Sequence, residues 1–244
     1  MYNSNHVLQG KGGIGKSLVS SLIMQVEAAL NNNPLGIDSD PVNKTLSRHK
    51  AMNVRPLDIM ENNKINSRAF DAMVEWIYQH QGATVVDNGA TSFIPATAYI
   101  AETGALEVLS SMQRRVLLHS ILIAGQEQDD TVDGLNALIA STTAPIVVWL
   151  NERNGPLVDS LGTPFHESVI YHNHRDRIAG VVTIHQRDAQ CFGEDIRQMT
   201  TQNLTFAEVL ASDWPFMPKH RLRQVWDDLF NQLAPILRGE KGNA

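Results

Sequence analysis

A glycine-rich segment near the start of the chain restricts the possible folds more than any other feature. Residues 10–17 read Gly-Lys-Gly-Gly-Ile-Gly-Lys-Ser and fit the pattern G-x-x-x-x-G-K-[ST]. The apolar residues 6–9 before it predict a short buried strand, and residues 18–30 after it predict a helix. A turn of this kind lets backbone N–H groups converge on an anion at the start of the helix. The segment therefore predicts a phosphate-binding loop for a nucleoside triphosphate.

The chemistry of this loop predicts which residues touch the nucleotide. Lys16 would bridge the β- and γ-phosphates of ATP, and the Ser17 hydroxyl would join the coordination shell of a magnesium ion. The glycines have no side chains, so the backbone can curl tightly around phosphate. The expected nucleotide-binding residues are Gly10, Lys11, Gly12, Gly13, Ile14, Gly15, Lys16, Ser17 and Leu18.

A second lysine in the loop and a downstream acidic segment resemble one ATPase superclass. Lys11 and the segment Asp38-Ser39-Asp40-Pro41-Val42-Asn43 are similar to the deviant Walker A P-loop ATPases, which include the ParA and MinD proteins. In that superclass the extra lysine reaches across a nucleotide-sandwich dimer to the partner's phosphates. The resemblance implies that Lys11, Lys16 and Asp40 are catalytic. Asp40 would orient or deprotonate the attacking water, and Asp38 would contact magnesium through a bound water.

Two later strand ends carry further candidate residues. Residues 83–86 predict a buried strand that ends at Asp87, and residues 145–150 predict another that ends at Asn151. Asp87 matches the Walker B position, where the carboxylate would hold magnesium through water. By the same resemblance, Asn151 would contact the adenine edge. For both residues, a polar turn at the end of a strand is the alternative interpretation.

Apolar strand patterns alternate with helical patterns along the rest of the chain. This alternation predicts an α/β P-loop NTPase, with a mostly parallel sheet and helices on both faces in three αβα layers. We expect one domain over residues 1–244. Residues 219–237 have apolar side chains at helical spacing, and we expect this C-terminal helix to dock on the core. An amphipathic membrane-binding helix is the alternative.

Composition and charge bear on the size of the core, on disulfide bonds, on the cellular location and on DNA binding. A hydrophobic content of 43% is sufficient for one core, and a single cysteine, Cys191, excludes an internal disulfide bond. The sequence contains no run of eighteen apolar residues, which a transmembrane helix would need, so we expect a cytoplasmic protein. A net charge of −6 does not indicate a general DNA-binding surface, although DNA stays a possible partner.

Four segments together resemble a narrower family. Residues 6–13, 37–43, 86–90 and 147–151 are similar to the TraL-type nucleotide-binding proteins, which transfer regions of broad-host-range conjugative plasmids encode. The similarity runs from residue 6 to about residue 210, and the segments Asp-Asn-Gly-Ala and Val-Trp-Leu-Asn are its most specific parts. It implies a bacterial, plasmid-encoded protein whose partner belongs to the conjugation or DNA-processing machinery.

Three hypotheses for function follow. The first is an ATP-dependent switch that forms a homodimer on binding ATP with magnesium and hydrolyses ATP slowly without a partner. The second is a small-molecule kinase or ligase that resembles dethiobiotin synthetase. The third is a scaffold that binds nucleotide and hydrolyses nothing.

Overall fold

A computed structural model describes residues 1–62 and 64–240 of the chain; residues 63 and 241–244 of the domain predicted over 1–244 lie outside the described part. The strands are β1 (Tyr2–Val7), β2 (Leu35–Asp38), β3 (Val54–Pro56), β4 (Met60–Glu61), β5 (Lys64–Ile65), β6 (Thr84–Asp87), β7 (Arg114–Ile123), β8 (Ile146–Asn151) and β9 (Ile178–Ile184). The helices are α1 (Lys16–Ala29), α2 (Ala69–Gln79), α3 (Phe93–Thr103), α4 (Ala105–Ser111), α5 (Gln128–Ser141), α6 (Val169–Asn173), α7 (Glu194–Thr201), α8 (Phe206–Ala211) and α9 (Phe216–Arg238).

Seven of these strands form one parallel sheet, in the order β3-β2-β6-β1-β7-β8-β9. Apolar side chains from α1, α7, α8 and α9 pack on one face of the sheet. Side chains from α2, α3, α4 and α5 pack on the other face. This arrangement confirms the predicted α/β domain with a parallel sheet between two helical layers. The carboxyl ends of β1, β2 and β6 meet at one edge of the sheet, where parallel α/β folds place their ligands.

Some short or polar elements were not predicted. The edge strand β3 and the hairpin of β4 and β5 have two or three residues each and are largely exposed, so they show no apolar periodicity. Strand β1 begins at Tyr2 rather than at the predicted His6. The residues between them are polar yet buried, which hydrophobicity alone does not indicate.

A chain of buried hydrogen bonds satisfies these polar side chains of β1. The indole N–H of Trp149 donates to Nδ1 of His119 at 3.0 Å, and Nε2 of His119 lies 3.0 Å from Oδ1 of Asn5. Because indole only donates, His119 must be neutral, with its proton on Nε2. The amide groups of Asn5 and Asn3 then donate to one carboxylate oxygen of the buried Glu27, at 3.2 and 2.8 Å. The network links β8, β7, β1 and α1.

The C-terminal helix α9 packs on the sheet and is held at its end by polar contacts. It begins at Phe216, before the predicted residue 219, and ends at Arg238. Asn3 donates to the carbonyl oxygen of Leu237 at 2.8 Å, and Arg115 donates to that of Ile236 at 2.7 Å. These donors satisfy last-turn carbonyls that have no partner within the helix. Buried residues of its apolar stripe are Leu222, Val225, Leu229 and Leu233. None of the described helices has both the length and the apolar character needed to cross a membrane.

The neutral state of His119 predicts a pH-dependent stability. Burial lowers the pKa of His119 from 6.5 to about 3. Between these two pH values His119 is protonated in the unfolded chain and neutral in the folded chain. The stabilisation that neutral His119 gives the fold is therefore complete above about pH 6.5 and is lost as the pH falls toward about 3. We expect His119→Gln to be less stable than wild type at pH 8. The difference should shrink by about 1 kcal/mol per unit between about pH 6 and pH 4.

Urea unfolding of both proteins at several pH values measures this difference. His172→Gln, at an exposed position, serves as the matched control and should follow wild type throughout. A difference between His119→Gln and wild type that stays constant with pH would contradict a buried neutral histidine.

Candidate nucleotide-binding site

The glycine-rich loop joins the end of β1 to the first turn of α1. Gly13 and Gly15 have φ values of +74° and +101°, a conformation that residues with a side chain rarely adopt. Gly12 differs, because a Cβ atom added there would meet no protein atom within 4 Å. The fold therefore needs glycine at Gly13 and Gly15, while a bound ligand is what would require it at Gly12. The side chain of Ile14 is buried in the apolar core and anchors the loop.

Gln9 fixes the beginning of the loop, a role that was not predicted. Its side-chain amide donates to the carbonyl oxygens of Thr131 at 2.9 Å and Ile121 at 3.2 Å, and its carbonyl oxygen accepts the Gly10 N–H at 2.9 Å. Gly134 of α5 makes room for this side chain, since a Cβ there would lie 1.8 Å from the Gln9 oxygen. Gln9 thus joins the loop to β7 and α5.

The two lysines of the loop have different surroundings. Lys16 is nearly buried, and its ammonium group donates to the carbonyl oxygen of Lys11 at 2.5 Å. Burial lowers the pKa of Lys16, and the negative charges of Asp87 and Asp40 oppose that shift. The ammonium group of Lys11 lies on the surface, 2.7 Å from a carboxylate oxygen of Asp130 on α5. This ion pair raises the pKa of Lys11.

Asp87 lies at the end of β6 with one oxygen bonded and one without a partner. Its Oδ1 accepts the hydroxyl of Ser20 at 2.9 Å, while its buried Oδ2 has no hydrogen-bond partner among the described residues. Burial raises the pKa of Asp87 to about 7, the negative charge of Asp38 acts in the same direction, and the Ser20 hydroxyl and the charge of Lys16 oppose the rise. An unpartnered, desolvated carboxylate oxygen next to Ser17 fits a magnesium site, because the bound cation would satisfy it.

Asp38 and Asp40 support the segment that follows β2. Oδ2 of Asp38 accepts both the backbone N–H and the hydroxyl of Ser47 at 2.9 Å. Oδ1 of Asp40 accepts the N–H groups of Val42 and Asn43 at 2.8 and 3.0 Å. Asp38 is fully buried and fixes the course of the segment, and burial raises its pKa. Asp40 is less buried and faces the glycine-rich loop.

Asn88 ties the three strand ends together. Its amide donates to the carbonyl oxygen of Val7 at 3.1 Å, and its oxygen accepts the Ser39 hydroxyl at 3.0 Å. The next residue, Gly89, packs directly on Asp40, since a Cβ there would lie 2.7 Å from the Asp40 carboxyl carbon. The unusual Asp-Asn-Gly-Ala sequence therefore positions the acidic segment beside the loop.

These elements enclose a cleft of about 420 Å³. Among the predicted residues, its lining contains Gly12, Gly13, Gly15, Lys16, Ser17, Leu18 and Asp40, and Val42, Asn43, Thr45, Ala90 and Thr91 complete it. Gly10, Lys11, Ile14, Asp38, Asp87 and Asn151 lie beside or behind the cleft. The described residues contain no cluster of three or more His, Cys, Asp or Glu side chains able to hold a metal alone. Magnesium here would need phosphate oxygens as further ligands, which is its usual mode of binding.

Asn151 contacts the loop from the end of β8. Its amide donates to the carbonyl oxygen of Ile14 at 3.0 Å, and its oxygen accepts the Arg153 N–H at 3.1 Å. The Arg153 guanidinium donates to the carbonyl oxygen of Gly13 at 3.1 Å. The protein thus uses Asn151 to hold the loop, and its contact with adenine stays a prediction. Nearby, Glu152 accepts hydrogen bonds from His185 at 3.0 Å and from the Gln186 N–H at 3.2 Å.

Two curated sequences are similar to nearly the whole chain. A Protein TraL from Escherichia coli is 38% identical over 230 residues, which cover 93% of this chain and 95% of that protein. A second Protein TraL from the same organism is 37% identical over the same shares. No protein-family model matches the sequence.

Solved structures with a similar fold include MinD proteins. The septum site-determining protein MinD from Pyrococcus horikoshii, complexed with Mg-ADP, has a TM-score of 0.55 and 13% identity over 97% of this chain and 99% of that one. A chain of the MinC:MinD cell division protein complex from Aquifex aeolicus has a TM-score of 0.54 and 12% identity over 94% of this chain and 96% of that one. At such low identity these likenesses show the fold alone, which this chain shares with the MinD structure.

The contrast between Gly12 and Gly15 can be tested with matched alanine variants. Gly15→Ala places a side chain at φ +101° and should lower the free energy of unfolding by about 1–2 kcal/mol. Gly12→Ala should leave stability unchanged but weaken ATP binding, because its methyl group would enter the cleft. Urea unfolding without nucleotide and a fluorescent ATP titration measure the two effects. Equal stability of the two variants would contradict this account of the loop.

Proposed function

Because the chain belongs to the TraL family, we propose that it is an ATP-dependent switch that binds and slowly hydrolyses ATP during conjugal transfer of plasmid DNA. The observation that supports this proposal is the cleft in which Lys16, Ser17 and Asp40 converge, with the unpartnered oxygen of Asp87 behind them. It offers a cation for phosphate, oxygen ligands for magnesium and a carboxylate for water. The setting in conjugation comes from the family resemblance.

The residues of the loop would bind the nucleotide before any chemistry occurs. Lys16 would leave the carbonyl oxygen of Lys11 and donate to the β- and γ-phosphate oxygens. Its near burial strengthens that attraction, because little water screens the charge. Ser17 and Asp87 would hold magnesium, and the bound ion would neutralise charge on the phosphates. Asp38 keeps the acidic segment in place through Ser47.

Asp40 is the residue that would act on the attacking water. Its Oδ1 is engaged by the N–H groups of Val42 and Asn43, so the second carboxylate oxygen is the one to orient the water. The water oxygen would form a bond to the γ-phosphorus as the bond to the ADP oxygen breaks, and its proton would pass to Asp40 or to phosphate. Among the residues that the structure describes, Lys16 is the one cation that lines the cleft, so we expect slow turnover until a partner supplies more stabilisation.

A second copy of the chain would cover this cleft. Val42, in its lining, is 70% exposed, and Ile94, at the start of α3 near Thr91, is 76% exposed. Large exposed apolar side chains beside a polar cleft favour an interface. For Lys11 to reach the partner's phosphates, it would have to leave Asp130. An exposed pair of this kind is screened by water and is easily exchanged for a phosphate contact.

The role of Asp40 can be tested with Asp40→Asn. The asparagine oxygen can still accept from Val42 and Asn43, so the segment should keep its shape while the charge is lost. We expect ATP binding close to wild type and single-turnover hydrolysis reduced by about 100-fold or more. Asp58→Asn is the matched control, because Asp58 accepts a similar turn hydrogen bond away from the cleft. Hydrolysis at the wild-type rate in Asp40→Asn would contradict the assignment.

The same pair of variants tests the biological setting. In donor cells that carry the plasmid, transfer frequency should fall with Asp40→Asn and stay at the wild-type level with Asp58→Asn. If transfer is unchanged although Asp40→Asn does not hydrolyse ATP, ATP hydrolysis by this protein is not needed for conjugation.

Dimerisation can be tested with Ile94→Asp and Lys11→Ala. In size-exclusion chromatography with light scattering, wild type should dimerise with ATP and magnesium when hydrolysis is blocked by Asp40→Asn. Both substitutions in that background should shift the protein to monomer while ATP still binds. Val169→Asp is the control for Ile94→Asp, since Val169 is also 76% exposed but lies on α6. A monomer with ATP in the parent protein would favour the small-molecule kinase or ligase instead.

A further inference from the structure

Strand β9 forms an edge of the sheet that carries no charge. It pairs with β8 on one side, and β9 ends the strand order. Its seven residues, Ile-Ala-Gly-Val-Val-Thr-Ile, include no proline and no charged residue. The opposite edge strand, β3, has three residues and ends in a proline. Proteins usually protect edge strands with charges, prolines or short length, because the unpaired backbone groups bind other strands. Most of β9 lacks these protections.

The contacts of one side chain show which residues of β9 point their backbone N–H and carbonyl groups away from β8. The Gln232 side chain from α9 accepts the Thr183 N–H at 2.7 Å and donates to the Thr183 carbonyl oxygen at 3.1 Å. Thr183 therefore directs both groups away from β8. Alternate residues of a strand point to the same side, so Val181 also directs its N–H and carbonyl groups outward. No described residue occupies those groups as Gln232 occupies those of Thr183.

Val181 faces a groove of about 820 Å³. The floor is β9 with Leu150 of β8. One wall is formed by His166, Tyr171 and Arg175, and the other by α9 with Gln232 and Ile236. Gly180 allows α9 to lie close to the strand, because a Cβ there would lie 2.4 Å from Ile236 Cδ1. The edge strand thus lies at the bottom of a trough between two helical walls.

We propose that this groove docks an extended segment of a partner protein that adds to the sheet alongside β9 and carries an acidic group near the start of β9. Hydrogen bonds to the main chain of Val181 would align the segment, and the apolar floor would receive alternate side chains, as in other strand-addition sites. This site lies beyond the nucleotide cleft and does not depend on the proposed ATPase activity.

The charges of the groove determine the acidic character of the segment. Arg175 lines the wall just before β9 begins and makes no ion pair with a described carboxylate. His166 on the same wall lies 3.6 Å from Glu167, so Arg175 is the cation available to a bound segment. The carboxylate that lines the groove, that of Glu240, lies 3.8 Å from the guanidinium of Arg238. An aspartate, a glutamate or a terminal carboxylate of the segment would form a charge-assisted hydrogen bond with Arg175.

The shape of the groove favours a single segment over a second copy of this chain. In a symmetric pairing, β9 of each copy would have to reach β9 of the other. Each strand lies between its own walls, so the walls of the two copies would meet before the strands did. A single extended segment that pairs with β9 would lie about 5 Å from it, and such a segment fits into the groove.

The test uses the full-length protein and a phage-displayed library of random peptides about ten residues long. Peptides selected on wild type should alternate apolar and polar residues and carry an acid near one end. Synthetic copies are titrated by fluorescence anisotropy. Val181→Pro removes the outward N–H without affecting the pairing with β8, and it should weaken binding by about tenfold or more. Arg175→Glu should weaken binding similarly and remove the preference for acid.

Two controls separate docking from general loss of structure. Arg68→Glu reverses the charge of an exposed arginine far from β9 and should bind as wild type. N-methylation of alternate peptide amides should abolish binding in one set of positions and spare it in the other, because every second amide faces β9. The proposal is wrong if the library yields no binding peptide. It is also wrong if Arg175→Glu binds the peptide as tightly as wild type and both sets of methylated peptides bind wild type as tightly as the unmethylated peptide does.

Discussion

The polar side chains of the central strand β1 impose a constraint that the surrounding elements have to meet. A buried amide or imidazole without a hydrogen-bond partner is costly, so Asn5 and His119 require each other, and His119 requires Trp149. Glu27 completes the hydrogen-bonded chain from α1, the helix whose first turn ends the nucleotide loop. The directional bonds fix how α1, β1 and β8 lie relative to one another, which apolar packing alone specifies less sharply.

The local part of the site could be predicted from the sequence. The glycine-rich loop, Lys16 and Ser17 lie within eight residues, and the strand and helix on either side follow from short apolar patterns. The strand ends at Asp87 and Asn151 could also be located, because polar residues follow buried runs there. The α/β class follows from the alternation of such runs, and the parallel sheet confirms it.

Contacts between distant residues could not be predicted in the same way. Gln9 and Asn88 are ordinary polar residues in the sequence, and their importance comes from carbonyl groups that the fold brings to them. The polar start of β1 escaped detection because its burial depends on partners more than twenty residues away. Asn151 was assigned to the base from resemblance, and the fold adds a hydrogen bond to the loop that no local pattern indicates.

The contact between Asn3 and the last turn of α9 has a consequence for how the chain acquires its structure. The two bonded residues are 234 positions apart, so everything between them must be synthesised before that contact can form. Contacts of long sequence separation form late and slow folding. While the chain is still on the ribosome, the amide of Asn3 has to remain solvated or find another partner. The central strand of the sheet is therefore made well before α9, but its last hydrogen bonds form only after the end of α9 has emerged.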